Sequence, residues 1–272
     1  MPLEWRALVE LDDWSGLAQG RTDDFDELYV VAPEPASTAP SFGGPFRATA
    51  NDSNIYFVKS LDTCVPGGKP SLAVEQIVAR LGDLIAAPVC KTSLIRIPDA
   101  LDGYAPYPNR GRLSPGLAHA SLALNRAEDR APMLVARTKD NNSRRHVGLY
   151  ALYDWCFGMD PQWLLDLDND LAIYSHDHGL YFPPLTQPGW NRGELIRHVD
   201  EPHELRDPRE GLLSEEAKRV ALAIGQVSRD DLAAILRAVP ASWPVSDAEL
   251  EVLGWFLERR AAAVAERVRS LV

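Results

Sequence analysis

The stretches "NIYFVKSL" (54–61), "SLAVEQIVARLGDLIAA" (71–87) and "VCKTSLIRI" (89–97) follow one another almost without interruption. The first and third are rich in β-branched and aromatic residues, which suit a pleated, half-buried surface. Between them Leu72, Val74, Ile77, Val78, Leu81, Leu84 and Ile85 recur at helical spacing. Ser71 is placed to cap the start of that helix and Pro88 to stop it. The turn "CVPGGKP" separates the first strand from the helix. Residues 98 to 116, rich in Pro and Gly, read as a connector, and "GLAHASLAL" (116–124) as a short strand. The first part of the chain is therefore strand-rich.

Residues 125 to 143 are polar and weakly patterned, and read as a loop or insertion. From Arg144 the period changes. Val147, Leu149, Tyr150, Leu152, Tyr153, Cys156 and Phe157 suit a mostly buried helix that Gly158 and Pro161 break. "LAIYS" (171–175) reads as a strand, leading into "HDHG". Farther on, Ser228 with Asp231 and Ser246 with Glu249 form two capping boxes, each ahead of an apolar helical run. In the last run Leu250, Leu253, Leu257, Ala261, Val264, Val268 and Leu271 make one stripe, read as core packing before a coiled-coil interface.

Composition excludes several classes. A net charge of −11 argues against a nucleic-acid partner, because phosphate backbones are held by clustered Lys and Arg. No stretch approaches the ~18 apolar residues of a membrane span. The start, "MPLEWRALVELDD", lacks the basic and apolar regions of a signal peptide, so a cytoplasmic location is expected. Cys64, Cys90 and Cys156 are widely spaced and odd in number, which fits reduced thiols.

The chemistry lies in an order of residues. A strand lysine (Lys59), a glutamate on the following helix (Glu75), an aspartate in a loop after a buried helix (Asp160) and an Asp-His-Gly after a short strand (Asp177) come in the order that phosphoryl transfer from ATP uses. There the lysine holds nucleotide phosphates and the glutamate orients the lysine. The loop aspartate positions the attacking hydroxyl, and the Asp-x-Gly carboxylate binds magnesium. Gly43 and Gly44, upstream of Lys59, would let backbone amides approach phosphates. A rival reading of "YSHDHGLYF" is a transition-metal site of His176, Asp177 and His178. On a strand, though, both histidines would face away from Asp177. No GxSxG elbow, Walker motif or GxGxxG is present.

The segments "YFVK", "EQIVARLGDLIAAPV", "YDWCFGMDPQWLLD" and "YSHDHGLYFP" resemble the HipA-like kinases, within them the short bacterial branch lacking HipA's own N-terminal domain. The resemblance covers most of residues 40 to 185 in order. It implies an α+β, two-lobed protein-kinase-like fold, distantly similar to the phosphatidylinositol kinases, with a strand-rich N-lobe and a helical C-lobe. Residues 1–272 would form a single kinase domain, the N-lobe ending near residue 123 and the C-lobe starting near 124. Lys59 resembles the ATP-phosphate lysine, Glu75 its partner, Asp160 the catalytic aspartate and Asp177 the magnesium ligand.

The family usually has an Asn a few residues after the catalytic Asp, as a second magnesium ligand. Leu165 stands at that distance here. Gln162 and Asp166 are the nearest oxygen donors, and Gln162 is preferred because a shortened loop would bring it into place. The implied activity is transfer from ATP, with magnesium, to an unidentified hydroxyl, on a protein Ser or Thr. A nucleotide-binding pseudokinase acting as an interaction module is the alternative, with a toxin or regulator acting through a protein partner behind it.

Overall fold

In the computed structural model, residues 9–36, 41–130, 133–184 and 186–272 are described. The reading of the N-terminus as lacking a leader falls mainly on residues 1–8, outside that set. Residues 37–40, at the start of the stretch before the glycine pair, are outside it too.

Five antiparallel strands form the first sheet: β1 (Val30–Pro33), β2 (Phe46–Ala50), β3 (Ile55–Lys59), β4 (Thr92–Ile97) and β5 (Gly116–Leu122), in the order β1-β2-β3-β5-β4. Its register sets Lys59 beside His119, and sets Phe57, Ser121 and Thr92 in one row. Helix α1 (Ser71–Leu84) sits between β3 and β4. It is buried nearly all round, Glu75 and Gln76 included. Two details differ from the sequence reading. Pro70 occupies the cap position and Ser71 makes no capping bond. The helix also ends at Leu84, with Ala86 in the left-handed region (φ 52°), ahead of Pro88.

A second sheet of three antiparallel strands follows: β6 (Ala127–Arg130), β7 (Gln162–Asp166) and β8 (Ala172–His176). Strand β6 lies in the stretch expected to be a loop. Its sequence, "AEDR", has no apolar alternation, so only backbone pairing with β7 defines it. Backbone bonds from Cys90 to Ser175 (3.0 Å) and from Ser175 to Pro88 (2.8 Å) tie β8 to the chain entering β4.

Helix α2 (Asn142–Trp155) precedes β7, and α3 (Arg192–His198), α4 (Ser214–Gln226), α5 (Arg229–Arg237) and α6 (Asp247–Arg269) complete the chain. Both expected capping boxes form, at the starts of α5 and α6. The apolar stripe of α6 is buried in the main core with Trp155 and Trp163. A smaller core lies on the outer face of the five-stranded sheet. All three cysteines are free and buried. Among the described residues, no helix is long and apolar enough to cross a membrane.

Candidate active site

A cleft of about 620 Å³ opens between the two sheets. Its roof carries Phe57, Lys59, His119 and Ser121 from the first sheet, and its floor carries Ala127, Asp129, Gln162, Leu164 and His176 from the second. A smaller compartment of about 270 Å³ shares Ser41, Lys59, Gln162 and Asp177 with it and adds Gly43, Asp160 and Gly179. Of the candidate site residues named from the sequence, Lys59, Glu75, Asp160, Gln162, Asp177 and Gly43 each line at least one of the two and Gly44 and Asp166 line neither, although Lys59 and Asp177 lie far apart in the chain.

At their junction Lys59 Nζ donates to Glu75 Oε1 (2.5 Å) and to Asp177 Oδ1 (2.6 Å). Glu75 Oε2 accepts the backbone N–H of His178 at 3.1 Å, so one glutamate holds both the lysine and the loop carrying Asp177. The approach is close because residue 179 is glycine: a Cβ there would lie 2.9 Å from Ser71 Cβ and 3.3 Å from Glu75 Oε1. Glu75, an ordinary exposed helix position if judged alone, has a side chain only 4% exposed, against 28% for Asp177. That difference orders the two carboxylates. Burial pushes Glu75 up to about 7 against the pull of Lys59. Burial acts the same way on Asp177, but the Lys59 ammonium prevails and holds it well below the usual carboxylate range. Lys59 is buried, which alone would lower it, yet the two carboxylates raise it.

Asp160 and Asp177 both adopt left-handed backbone conformations (φ 51° and 53°), which non-glycine residues seldom hold and which concentrate at functional sites. Asp160 is exposed, and its Oδ2 accepts from Gln162 Nε2 at 3.2 Å. Pro161 opens no helix, so Asp160 is not a helix cap. The turn leading to Asp160 is held from a distance, where His203 Nε2 donates to Gly158 O (2.6 Å) and its ring stacks on Phe157 and Tyr153. The sequence carried no sign of His203.

Gln162 is the first residue of β7 and pairs across the sheet with His176, directly before Asp177. Leu165 is buried on the far side, and Asp166, at the other end of β7, lines neither compartment. Of the two oxygen donors named from the sequence, Gln162 therefore lines both compartments with Asp177 and Asp166 lines neither.

The strand rule applied to "SHDHG" stops at His176, where β8 ends, and the turn at Asp177 brings all three residues to the cleft. The imidazoles still diverge. His176 Nε2 faces Asp129 at 3.8 Å, whereas His178 Nε2 lies 2.7 Å from Ser175 Oγ. Burial lowers His178 and His119 to about 3, so both flank Lys59 as neutral rings. Among the described residues no three His, Cys, Asp or Glu side chains are gathered as a metal site.

The donor set fits magnesium and a nucleotide polyphosphate. Asp177 and the Gln162 amide offer hard oxygens. One ammonium between two carboxylates leaves room for further positive charge. Gly44 (φ 50°) packs so tightly that a Cβ would lie 2.4 Å from Thr63 O, and Gly43 lies against the Lys59 side chain. Ser41, whose Oγ is buried without a partner, lines both compartments.

No family model matches the chain, and no curated protein matches it. Among solved structures it is similar to the Helicobacter pylori proinflammatory kinase CtkA, with 11% identity and a TM-score of 0.57 over 92% of this chain and 97% of that one. The Golgi casein kinase also matches, with 9% identity and a TM-score of 0.44 over 96% of this chain and 76% of that one. The likeness to CtkA shows the fold. The chain has an α+β, protein-kinase-like architecture, strand-rich in its first part and helical in its last.

Proposed function

We propose that this chain is an ATP- and magnesium-dependent phosphotransferase of the HipA-like kind, acting as a single kinase domain whose lobes divide near residue 123. The γ-phosphoryl group would pass to a hydroxyl, expected on a protein Ser or Thr. The observation that carries the reading is the Lys59 ammonium held between Glu75 and Asp177 at the head of a cleft that also contains Asp160 and Gln162.

In this reading Lys59 binds phosphate oxygens, Glu75 keeps it aimed, and Gly43 lets the backbone approach the phosphates, while Gly44, whose N–H donates to Ser41 O (3.3 Å), shapes the turn rather than lining the cleft. Asp177 and Gln162 would hold magnesium, which would neutralise phosphate charge. Asp160, exposed beside the smaller compartment, would accept the hydrogen bond of the acceptor hydroxyl and take its proton as the new O–P bond forms, the γ-phosphorus separates from the β–γ bridging oxygen and ADP leaves.

Incubation with γ-labelled ATP and magnesium, alone and with lysate, tests this. Wild type should label itself or an acceptor. Asp160→Asn should lose about a hundredfold or more of the rate while calorimetric ATP affinity stays constant. No ATP binding at all would overturn the reading. A nucleotide-binding pseudokinase has one observation in its favour, the buried Leu165 where the resemblance expects Asn. ATP binding with no label in any protein would select it.

A further inference from the structure

Strands β4 and β5 are antiparallel neighbours with Ile97 opposite Gly116, a geometry that a turn of about two residues can close. Residues 98–115 intervene instead. They lie over the outer face of the five-stranded sheet, where Tyr107 and Leu113 are each 1% exposed and pack in one core with Phe46, Ala48 and Val58. Topology does not require so long a connection, and its hydrogen bonds run to two particular loops.

The first is the loop between β1 and β2 that contains the glycine pair. Arg110 Nη2 donates to Ser41 O (3.0 Å), Tyr107 Oη donates to Pro45 O, Tyr104 Oη donates to Pro33 O (3.4 Å), and Pro106 O accepts from Ala36 N (2.9 Å). The second is the loop after Lys59. Ser114 N donates to Asp62 Oδ2 (2.8 Å), and a Cβ on Gly111 would lie 2.4 Å from Asp62 O. That second loop grips the glycines in turn, since Thr63 Oγ1 donates to Gly43 O (3.3 Å) and Val65 N to Phe42 O (2.9 Å). The carbonyls of Ser41, Phe42, Gly43 and Pro45 are thus all engaged by the protein, which keeps their negative ends from a phosphate in the cleft.

We infer that residues 98–115 are a clamp that holds the glycine loop in its phosphate-binding shape over Lys59, with Arg110 and Tyr107 as positioning residues. The inference rests on the phosphotransferase reading and adds a source of preorganisation to it. A loop ordered before binding costs less entropy when the ligand arrives. Because the clamp acts on the part of the cleft that would face phosphates, its loss should weaken ATP and spare adenosine.

Arg110→Ala and Tyr107→Phe each remove one tether without emptying the core. In the free protein, the amides of Phe42, Gly43, Gly44 and Phe46 should exchange with deuterium faster than in wild type. By calorimetry MgATP should bind about tenfold more weakly while adenosine binds as before. Arg110→Lys, which keeps a donor for Ser41 O, should recover most of the loss. Unchanged exchange at Phe42, Gly43, Gly44 and Phe46, or equal weakening of ATP and adenosine, would overturn the clamp. A wild type that binds neither ligand would remove the phosphotransferase reading and the positioning role with it, whereas the exchange result in the free protein bears on the tether alone.

Discussion

Two of the buried charge clusters in this molecule are built on opposite terms. In the helical part, Asp154 meets Arg260 at 3.0 Å and Arg267 at 2.6 Å. Arg260, 1% exposed, also donates to the carbonyls of Asp154, Trp155, His198, Val199 and Glu201. Both carboxylate oxygens face a guanidinium. At the cleft one lysine serves two carboxylates, and the His119 and His178 rings beside it are neutral. A cluster with its polar atoms answered is a staple. A cluster of one cation and two carboxylates, open to a cleft, is the arrangement that the proposed phosphotransferase would use to take up a metal-bound polyphosphate.

Breaking each cluster at its cation tests that contrast. Arg260→Ala removes the donations to five carbonyls and one of the two guanidinium partners of Asp154, leaving Arg267 on both carboxylate oxygens, so urea unfolding should show a loss of about 3–5 kcal/mol. A loss under about 1 kcal/mol would make the helical cluster ornamental.

Acid should act next. His119, His146 and His178 sit near 3 in the folded protein because of burial, against about 6.5 unfolded, so their contribution is present above 6.5 and lost as pH falls toward 3. Glu75, raised to about 7, has the opposite sign: its contribution is present below 4.5 and lost as pH rises through 7. Three groups against one leave a net loss of about 2–3 kcal/mol per pH unit below 6. Urea midpoints at pH 7, 6 and 5 check the sign.

Lys59→Met should cost only about 1–2 kcal/mol, because Glu75 can take a proton in place of its partner. The cost should be smaller at pH 6 than at pH 8, and phosphoryl transfer should be lost at both. A cost equal to that of Arg260→Ala would erase the distinction between the clusters. The smallest effect belongs to Gln162→Ala, which should raise the magnesium needed for half-maximal ATP binding about tenfold. Asp177→Ala should abolish that dependence and His176→Ala should leave it. A Gln162→Ala variant with wild-type magnesium dependence would return the second ligand to an open question.

Much of this was legible in the chain. The strand at 55–59, the buried helix after it, the strand before Asp177 and both capping boxes follow from local pattern, because each element's own side chains specify its period or its cap. Strand β6 was not legible, since an alanine and three charged residues become a strand only through the partner they pair with. Ser71 failed as a cap for the converse reason: the turn at Pro66–Gly68 feeds the helix one residue earlier than a capping serine would.

The sequence by itself determined the order Lys59, Glu75, Asp160, Asp177 and the elements that carry them, because hydrophobic period and residue chemistry are local properties. Only the tertiary structure decided that Lys59 touches both carboxylates, that Gln162 rather than Asp166 stands beside Asp177, and that residues 98–115 grip the glycine loop. Those are contacts between side chains and backbone distant in the chain. Their geometry is set by how the two sheets and the helices pack, a sum over many weak interactions that no single segment encodes.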